Sequence, residues 1–252
     1  MTDRIELTAA LDALLQPERF KDYCPNGLQV EGRLPVRKLV SGVTASLALI
    51  EAAINAKADA ILVHHGLFWR GHDGRVTGWM KQRLQALLAA DINLYAYHLP
   101  MDAHPTLGNN AQLAKQLGWE PTEGSAGVFG EQDLGRLAAV NYTDASELAQ
   151  HLKLTLKTHV TAIQASSIAI KKIAWCTGGA QSYFEAAIAA GADAFVTGEI
   201  SEAQTHYARE MGVAYLACGH HATESFGAPA VGEYIAQVLG VVHEFIHIDN
   251  PA

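Results

Sequence analysis

Five residues of the chain carry side chains suited to a divalent metal, and each follows an apolar run that reads as a buried strand. His64 and His65 close the run that begins at Ala60. Asp102 lies in His98-Leu-Pro-Met-Asp, just beyond Ile92–Tyr97. His220 and Glu224 follow Val213–Cys218. Imidazole nitrogens mixed with carboxylate oxygens suit zinc, iron, manganese, cobalt or nickel, and are too nitrogen-rich for a calcium cage. Five donors exceed the usual protein ligands of one open catalytic zinc. If one carboxylate bridges, they can hold two ions, and such a pair can share an activated water and clamp both oxygens of a displacement. Taken singly the signals are weak: a His-His pair is common in loops, and His-x3-Glu places neighbours on any helix. Their recurrence at three strand ends singles them out, because parallel α/β sheets bind ligands beyond the carboxyl ends of their strands.

The elements that must position these residues repeat. Segment 36–66 aligns with 170–200 at an offset of 134, matching Lys38 with Lys172, Glu51-Ala-Ala-Ile54 with Glu185-Ala-Ala-Ile188 and Asp59 with Asp193. An offset of 122 then matches His98-x3-Asp102 with His220-x3-Glu224, the difference being a 12-residue insertion in the first copy. Each copy reads strand, helix, strand, helix, strand, helix. Apolar strands alternating with helices indicate an α/β protein of two related halves, with largely parallel sheets and a metal site in the cleft between them. The halves are expected at 1–119 and 169–252. The stretch 120–168, with short β-like runs and one helical run, reads as a connecting excursion, edge hairpin or small subdomain. Ser201-Glu-Ala-Gln204 has the pattern of a capping box, and Val241–Ile248 reads as a final strand.

Other polar residues compete for roles. His98, the counterpart of His220, is a candidate proton shuttle or an organiser of the Asp102 loop. Glu199 aligns with His65 and is a candidate base or substrate contact. Its plainer reading is a carboxylate at a helix N-terminus. His104 and Asn109 share the Asp102 loop and are candidate substrate contacts. His221 is expected to point away from the site. Thr177-Gly178-Gly179 could hold an anion on backbone N–H groups, but lacks a nucleotide fingerprint and reads better as a tight turn. His243 and His247 read as structural or interfacial. No nucleophile elbow is present, which argues against a covalent hydrolase.

The 252 residues include 49% hydrophobic and 17% charged side chains, ordinary for a soluble globular chain. The net charge of −8 without a basic cluster argues against nucleic-acid and anionic-membrane binding. No stretch has the length of a membrane span, and the N-terminus lacks a signal-peptide pattern. Cys24, Cys176 and Cys218 are odd in number and widely spaced, as expected for reduced thiols of a cytoplasmic protein.

Asn26-Gly-Leu-Gln-Val30, Val63-His-His-Gly66, His98-Leu-Pro-Met-Asp-Ala-His-Pro105, Gly108-Asn-Asn110 and Gly219-His-His-Ala-Thr-Glu224 together resemble the signature of the Nif-three-like family, whose members are catalogued as GTP cyclohydrolase 1 type 2 homologues. The resemblance runs in order through nearly the whole chain. It implies a dinuclear centre of two divalent ions per chain (iron, zinc, manganese or nickel), ligands at His64, His65, Asp102, His220 and Glu224, and a homohexamer built as a trimer of dimers. The function expected is hydrolysis of a nucleotide or modified purine by a metal-activated hydroxide, with His98 and Glu199 handling protons. The alternative is a metal-binding ring with a metal-handling or regulatory role and no turnover.

Overall fold

The computed structural model describes residues 2–164 and 168–252, and it is a mixed α/β fold of several sheets and helices. The chain forms two compact units, one of residues 1–108 and 227–249, the other of 109–226 and 250–252.

In the first unit the sheet order is Val242–Phe245, Lys38–Thr44, Ala60–His65, Asn93–Ala96, Gly27–Val30. The first four strands run parallel and Gly27–Val30 pairs antiparallel to Asn93–Ala96. Every residue from Ala60 to His64 is buried, as a parallel strand covered on both faces requires. One covering helix, Arg4–Leu15, starts at a capping box: Asp3 accepts the Glu6 N–H while the Glu6 carboxylate accepts the Asp3 N–H. Leu7, Leu11 and Leu15, one helical turn apart, are buried in a core that also holds Ala228, Val231 and Ile235 of helix Gly227–Leu239. Each such leucine contributes roughly 1.5–3 kcal/mol by leaving water.

In the second unit the order is Val128–Phe129, Gly135–Tyr142, Ile170–Trp175, Ala194–Thr197, Ala214–Ala217, Thr161–Ile163. Only the pairings among Ile170–Trp175, Ala194–Thr197 and Ala214–Ala217 are parallel, while the outer strands pair antiparallel. The expectation of a largely parallel sheet therefore describes the first unit and only the centre of the second. The reason lies in the stretch 120–168. Its strands Gly135–Tyr142 and Thr161–Ile163 flank the parallel trio on opposite sides, and its helix Ala145–Leu156 buries Ala145, Leu148 and Leu152 in the same core. That stretch is part of the unit; its residues 165–167 lie outside the described ones. The unit boundaries also differ from 1–119 and 169–252. After Phe226 the chain returns to the first unit, where Val242–Phe245 joins the edge of the sheet beside Lys38–Thr44.

Lys38–Thr44, Ala60–His65 and Asn93–Ala96 of the first unit form a parallel trio tied off like that of the second. Asp59 Oδ2 accepts the N–H groups of Arg37 and Lys38 at 2.9 and 3.1 Å. Asp193 Oδ2 accepts those of Lys171 and Lys172, both at 2.8 Å. In each unit a carboxylate between helix and strand thus satisfies the N–H groups that begin the neighbouring strand. The candidate metal-ligating residues follow the carboxyl ends of strands in both trios.

Candidate metal centre

In the first unit, Ala60–His65 runs straight into its two histidines. His64 is fully buried, and its Nδ1 donates to the Tyr97 carbonyl at 3.1 Å. This fixes the tautomer, leaving Nε2 as the nitrogen whose lone pair can reach a metal, 3.6 Å from Asp102 Oδ1. His65 Nδ1 is paired with the Thr44 hydroxyl at 3.1 Å. His98 packs its ring 5.0 Å from that of His64 and 5.8 Å from that of His65, and donor atoms of the three imidazoles lie within 4.8 Å of one another. Asp102 sits on a short helix, Leu99–Ala103, where a plain loop was expected. Its N–H bonds back to the His98 carbonyl at 3.2 Å, so His98 and Asp102 move as one piece.

What holds that piece is the stretch 22–29, a loop that runs into strand Gly27–Val30. Asp22 accepts the His98 Nδ1–H at 2.7 Å and the Leu99 N–H at 2.9 Å, while Asn26 accepts the His98 N–H at 2.7 Å. Gln29 accepts the Leu67 N–H at 2.8 Å, just past His64-His65-Gly66. The family-like Asn-Gly-Leu-Gln motif is thus a set of polar pins for the loops that carry the donors. Asp22, to which the sequence alone assigns no role, is thus placed by the fold behind His98. Burial pushes its carboxyl up, but the hydrogen bond and charge of His98, with Asn26 and the Leu99 N–H, outweigh this and hold it at about 2. A carboxyl lowered on folding stabilises the fold above its unfolded value near 4, and this contribution is lost as pH falls toward 2. Urea melts from pH 5 to pH 2.5 are expected to show Asp22→Asn less stable than wild type at pH 5, with the gap closing below pH 4. A gap that does not change with pH would refute the assignment.

In the second unit, His220 and Glu224 follow Ala214–Ala217, with Nε2 of His220 3.0 Å from Glu224 Oε2. Glu199, read as a candidate base, accepts the His220 Nδ1–H at 2.7 Å and the Gln181 side-chain N–H at 3.2 Å. It is a positioning residue for the imidazole, as carboxylates behind metal-binding histidines commonly are. Burial lowers the His220 pKa, but the hydrogen bonds and charges of Glu224 and Glu199 outweigh it and raise it to about 9. A cation at Nε2 would replace that proton, so its binding would release one.

The Thr177-Gly178-Gly179 segment bends the chain, and two of its N–H groups are spent within the unit. The Thr177 N–H goes to Asn110 Oδ1 and the Gly178 N–H to Thr223 Oγ1, at 3.1 and 3.0 Å. At Gly178 a Cβ would fall 1.9 Å from Glu224 Oε1, so glycine makes room for the carboxylate. The Ser201 side chain makes no capping bond to helix Glu202–Met211, so the expected capping box is absent there. His104 Nδ1 accepts the N–H groups of Thr106 and Leu107, which shapes its loop, and Asn109 is fully buried. His221 is buried, and His243 bonds Ser41 and Glu233, in keeping with a structural role.

The donor set fits a divalent metal on its chemistry: hard carboxylates and borderline imidazoles, with Nδ1 of His64 and His220 held by acceptors so that Nε2 faces the other donors. Cys24, Cys176 and Cys218 are buried and none is in a disulfide. Burial, then the charge of Asp22, pushes the Cys24 thiol up to about 12, which makes it a poor ligand beside these nitrogens. Among the described residues no helix is long and apolar enough to cross a membrane.

The model of the family Duf34/NIF3 (NGG1p interacting factor 3) matches residues 2–251. A GTP cyclohydrolase 1 type 2 homolog of Allochromatium vinosum is 50% identical over 252 residues, covering 100% of this chain and 98% of its own. One from Pseudomonas aeruginosa is 48% identical over 247 residues, covering 98% and 97%. Among solved structures, the protein ybgI, described as of unknown function, superposes with a TM-score of 0.94 at 42% identity over 100% of both chains. TTHA1606 from Thermus thermophilus superposes with a TM-score of 0.83 at 32% identity, over 100% of this chain and 99% of its own.

Proposed function

Because the chain belongs to the Duf34/NIF3 family, we propose that it is a metal-dependent hydrolase of a nucleotide or modified purine, with His64, His65, Asp102, His220 and Glu224 as ligands of two divalent ions. The observation that carries this is the convergence of donor atoms: those of His64, His65 and His98 lie within 4.8 Å of one another, His64 Nε2 lies 3.6 Å from Asp102 Oδ1, and His220 Nε2 lies 3.0 Å from Glu224 Oε2. His64, His65, His98 and His220 also engage Nδ1, with a carbonyl, a hydroxyl and two carboxylates respectively, as ligand histidines commonly do. When bound, divalent ions supply Lewis acidity and lower the pKa of water. The chain's own part is to hold the donors and to move protons. His98, oriented by Asp22 and Asn26, presents Nε2 beside His64 and His65 and is the residue placed to carry a proton to or from the substrate. Glu199 keeps the His220 ring in one orientation. The name borne by the relatives supports the nucleotide class of substrate. We further propose, following the family resemblance, a homohexamer of about six times 27.0 kDa. The buried thiols outside disulfides suit a reducing cytoplasm.

The test is a product screen by liquid chromatography on protein loaded separately with Fe(II), Mn(II), Zn(II) and Ni(II), offered nucleotides and modified purines. At least one loaded form is expected to turn over a substrate, and Asp102→Ala and Glu224→Ala are expected to abolish turnover while keeping the assembly mass. If no loaded form turns over any substrate, the hydrolase reading fails and a metal-binding assembly without turnover takes its place.

A further inference from the structure

Trp69 opens the polar insertion of the first copy, and neither the ligand set nor the proton-handling residues account for it. Its indole packs perpendicular to the His98 ring, centroids 5.0 Å apart, and lies 5.9 Å from the His65 ring. It is half-buried, and its position is fixed from several directions. Its own Nε1 donates to the Gly66 carbonyl at 3.3 Å, and Leu67 before it is pinned by Gln29. Arg70 after it is tied through its N–H to the Tyr23 carbonyl and through its guanidinium to the Asp22 carbonyl. His98 meets the indole edge-on and His65 at a tilt, so neither stacks flat on it; with Nε1 bonded inward, the partly exposed ring offers π-surface, not a polar contact.

We propose that Trp69 is the stacking platform that selects a planar heteroaromatic ring at this site, the ring lying on the indole with its reacting atom toward the His65 and His98 side. This rests on the reading of the site as one that binds a substrate beside the His64 and His65 donors, but it concerns binding and is read without turnover. Stacking of a base on an aromatic side chain is sequence-tolerant and strong enough to be measured by truncation.

The test uses calorimetric titration of zinc-loaded wild type, Trp69→Phe and Trp69→Leu, with guanosine, pterin and ribose 5-phosphate as probes and zinc content measured for each protein. Trp69→Leu is expected to weaken guanosine and pterin about 10- to 100-fold, and Trp69→Phe by only a few-fold. Ribose 5-phosphate binding and zinc content are expected to be unchanged. As a check independent of Trp69→Leu folding, guanosine is expected to quench the fluorescence of Trp79→Phe protein. The proposal is overturned if Trp69→Leu binds the ring probes as wild type does, if it weakens ribose 5-phosphate equally, or if wild type binds neither ring compound. A hydrolase screen that fails while the ring preference holds would remove the reaction and leave the platform.

Discussion

Purified without an affinity tag or chelator, wild type is expected to retain divalent metal and His64→Ala is expected to lose it. The side chain is completely enclosed, and the Tyr97 carbonyl fixes its ring so that Nε2 faces Asp102. Substitution would remove one of the proposed ligands, the one whose Nε2 lies 3.6 Å from Asp102 Oδ1. The loss in affinity should therefore exceed the roughly 10- to 100-fold that deleting an outer partner of a ligand costs. Elemental analysis of both proteins, before and after incubation with Fe, Mn, Zn and Ni, is the direct measurement, with about two ions per chain expected in wild type. Thermal melting gives a second readout. A metal that binds only the folded state stabilises it by mass action, so chelator should lower the wild-type melting temperature and leave His64→Ala unmoved. Equal metal content in the two proteins, or none in either after reconstitution, would overturn the ligand assignment.

The candidate donors stand out in the sequence because weak side-chain signals recur where apolar runs end. Ala60–Val63 is an unbroken apolar run, which marks a strand covered on both faces, and a parallel strand exposes only its carboxyl end to a ligand. The residues after that run are therefore the ones to inspect. The pins behind the donors give no such signal. Asp22 acts on His98 across 76 residues and Gln29 on Leu67 across 38. A hydrogen bond between two distant loops has no period, and each partner alone looks like an ordinary turn residue. The same applies to Glu199, whose alignment with His65 suggests a residue at the site, whereas only the fold shows that it faces the back of the His220 ring. The edges of the sheets were hidden for another reason. Whether a short apolar run such as Thr161–Ile163 joins a sheet parallel or antiparallel depends on the path of the connection, which local composition does not carry. The final strand shows this too: Val242–Phe245 alternates like any edge strand, and nothing local says that it returns to the sheet begun 200 residues earlier.

Gly178→Ala is expected to damage the second unit's donors far more than substitutions at glycines that look equally suited to the change. Gly178 has φ +69°, where an L-residue costs about 1–2 kcal/mol. The added Cβ would also lie 1.9 Å from Glu224 Oε1, 2.8 Å from its carboxyl carbon and 3.1 Å from His220 Nε2. Glu224 cannot swing away cheaply, since its side chain is only 3% exposed. Overpacking a closed site adds about 1–3 kcal/mol, which brings the expected loss of stability to about 2–5 kcal/mol. Two other glycines separate the causes. Gly118, with φ +67° and nothing within 4 Å of its Cβ position, isolates the backbone cost. At Gly179 the nearest atoms are at 3.5 Å, an ordinary contact, so Gly179→Ala should be close to neutral. Urea denaturation of the three alanine variants should therefore rank Gly178 well below Gly118, and Gly118 below Gly179. Metal content should fall in Gly178→Ala alone, because only there does the new methyl group press on a carboxylate of the ligand set. If Gly178→Ala and Gly118→Ala lose equal stability and both keep their metal, then the close approach of Glu224 to this turn does not govern the position of its carboxylate.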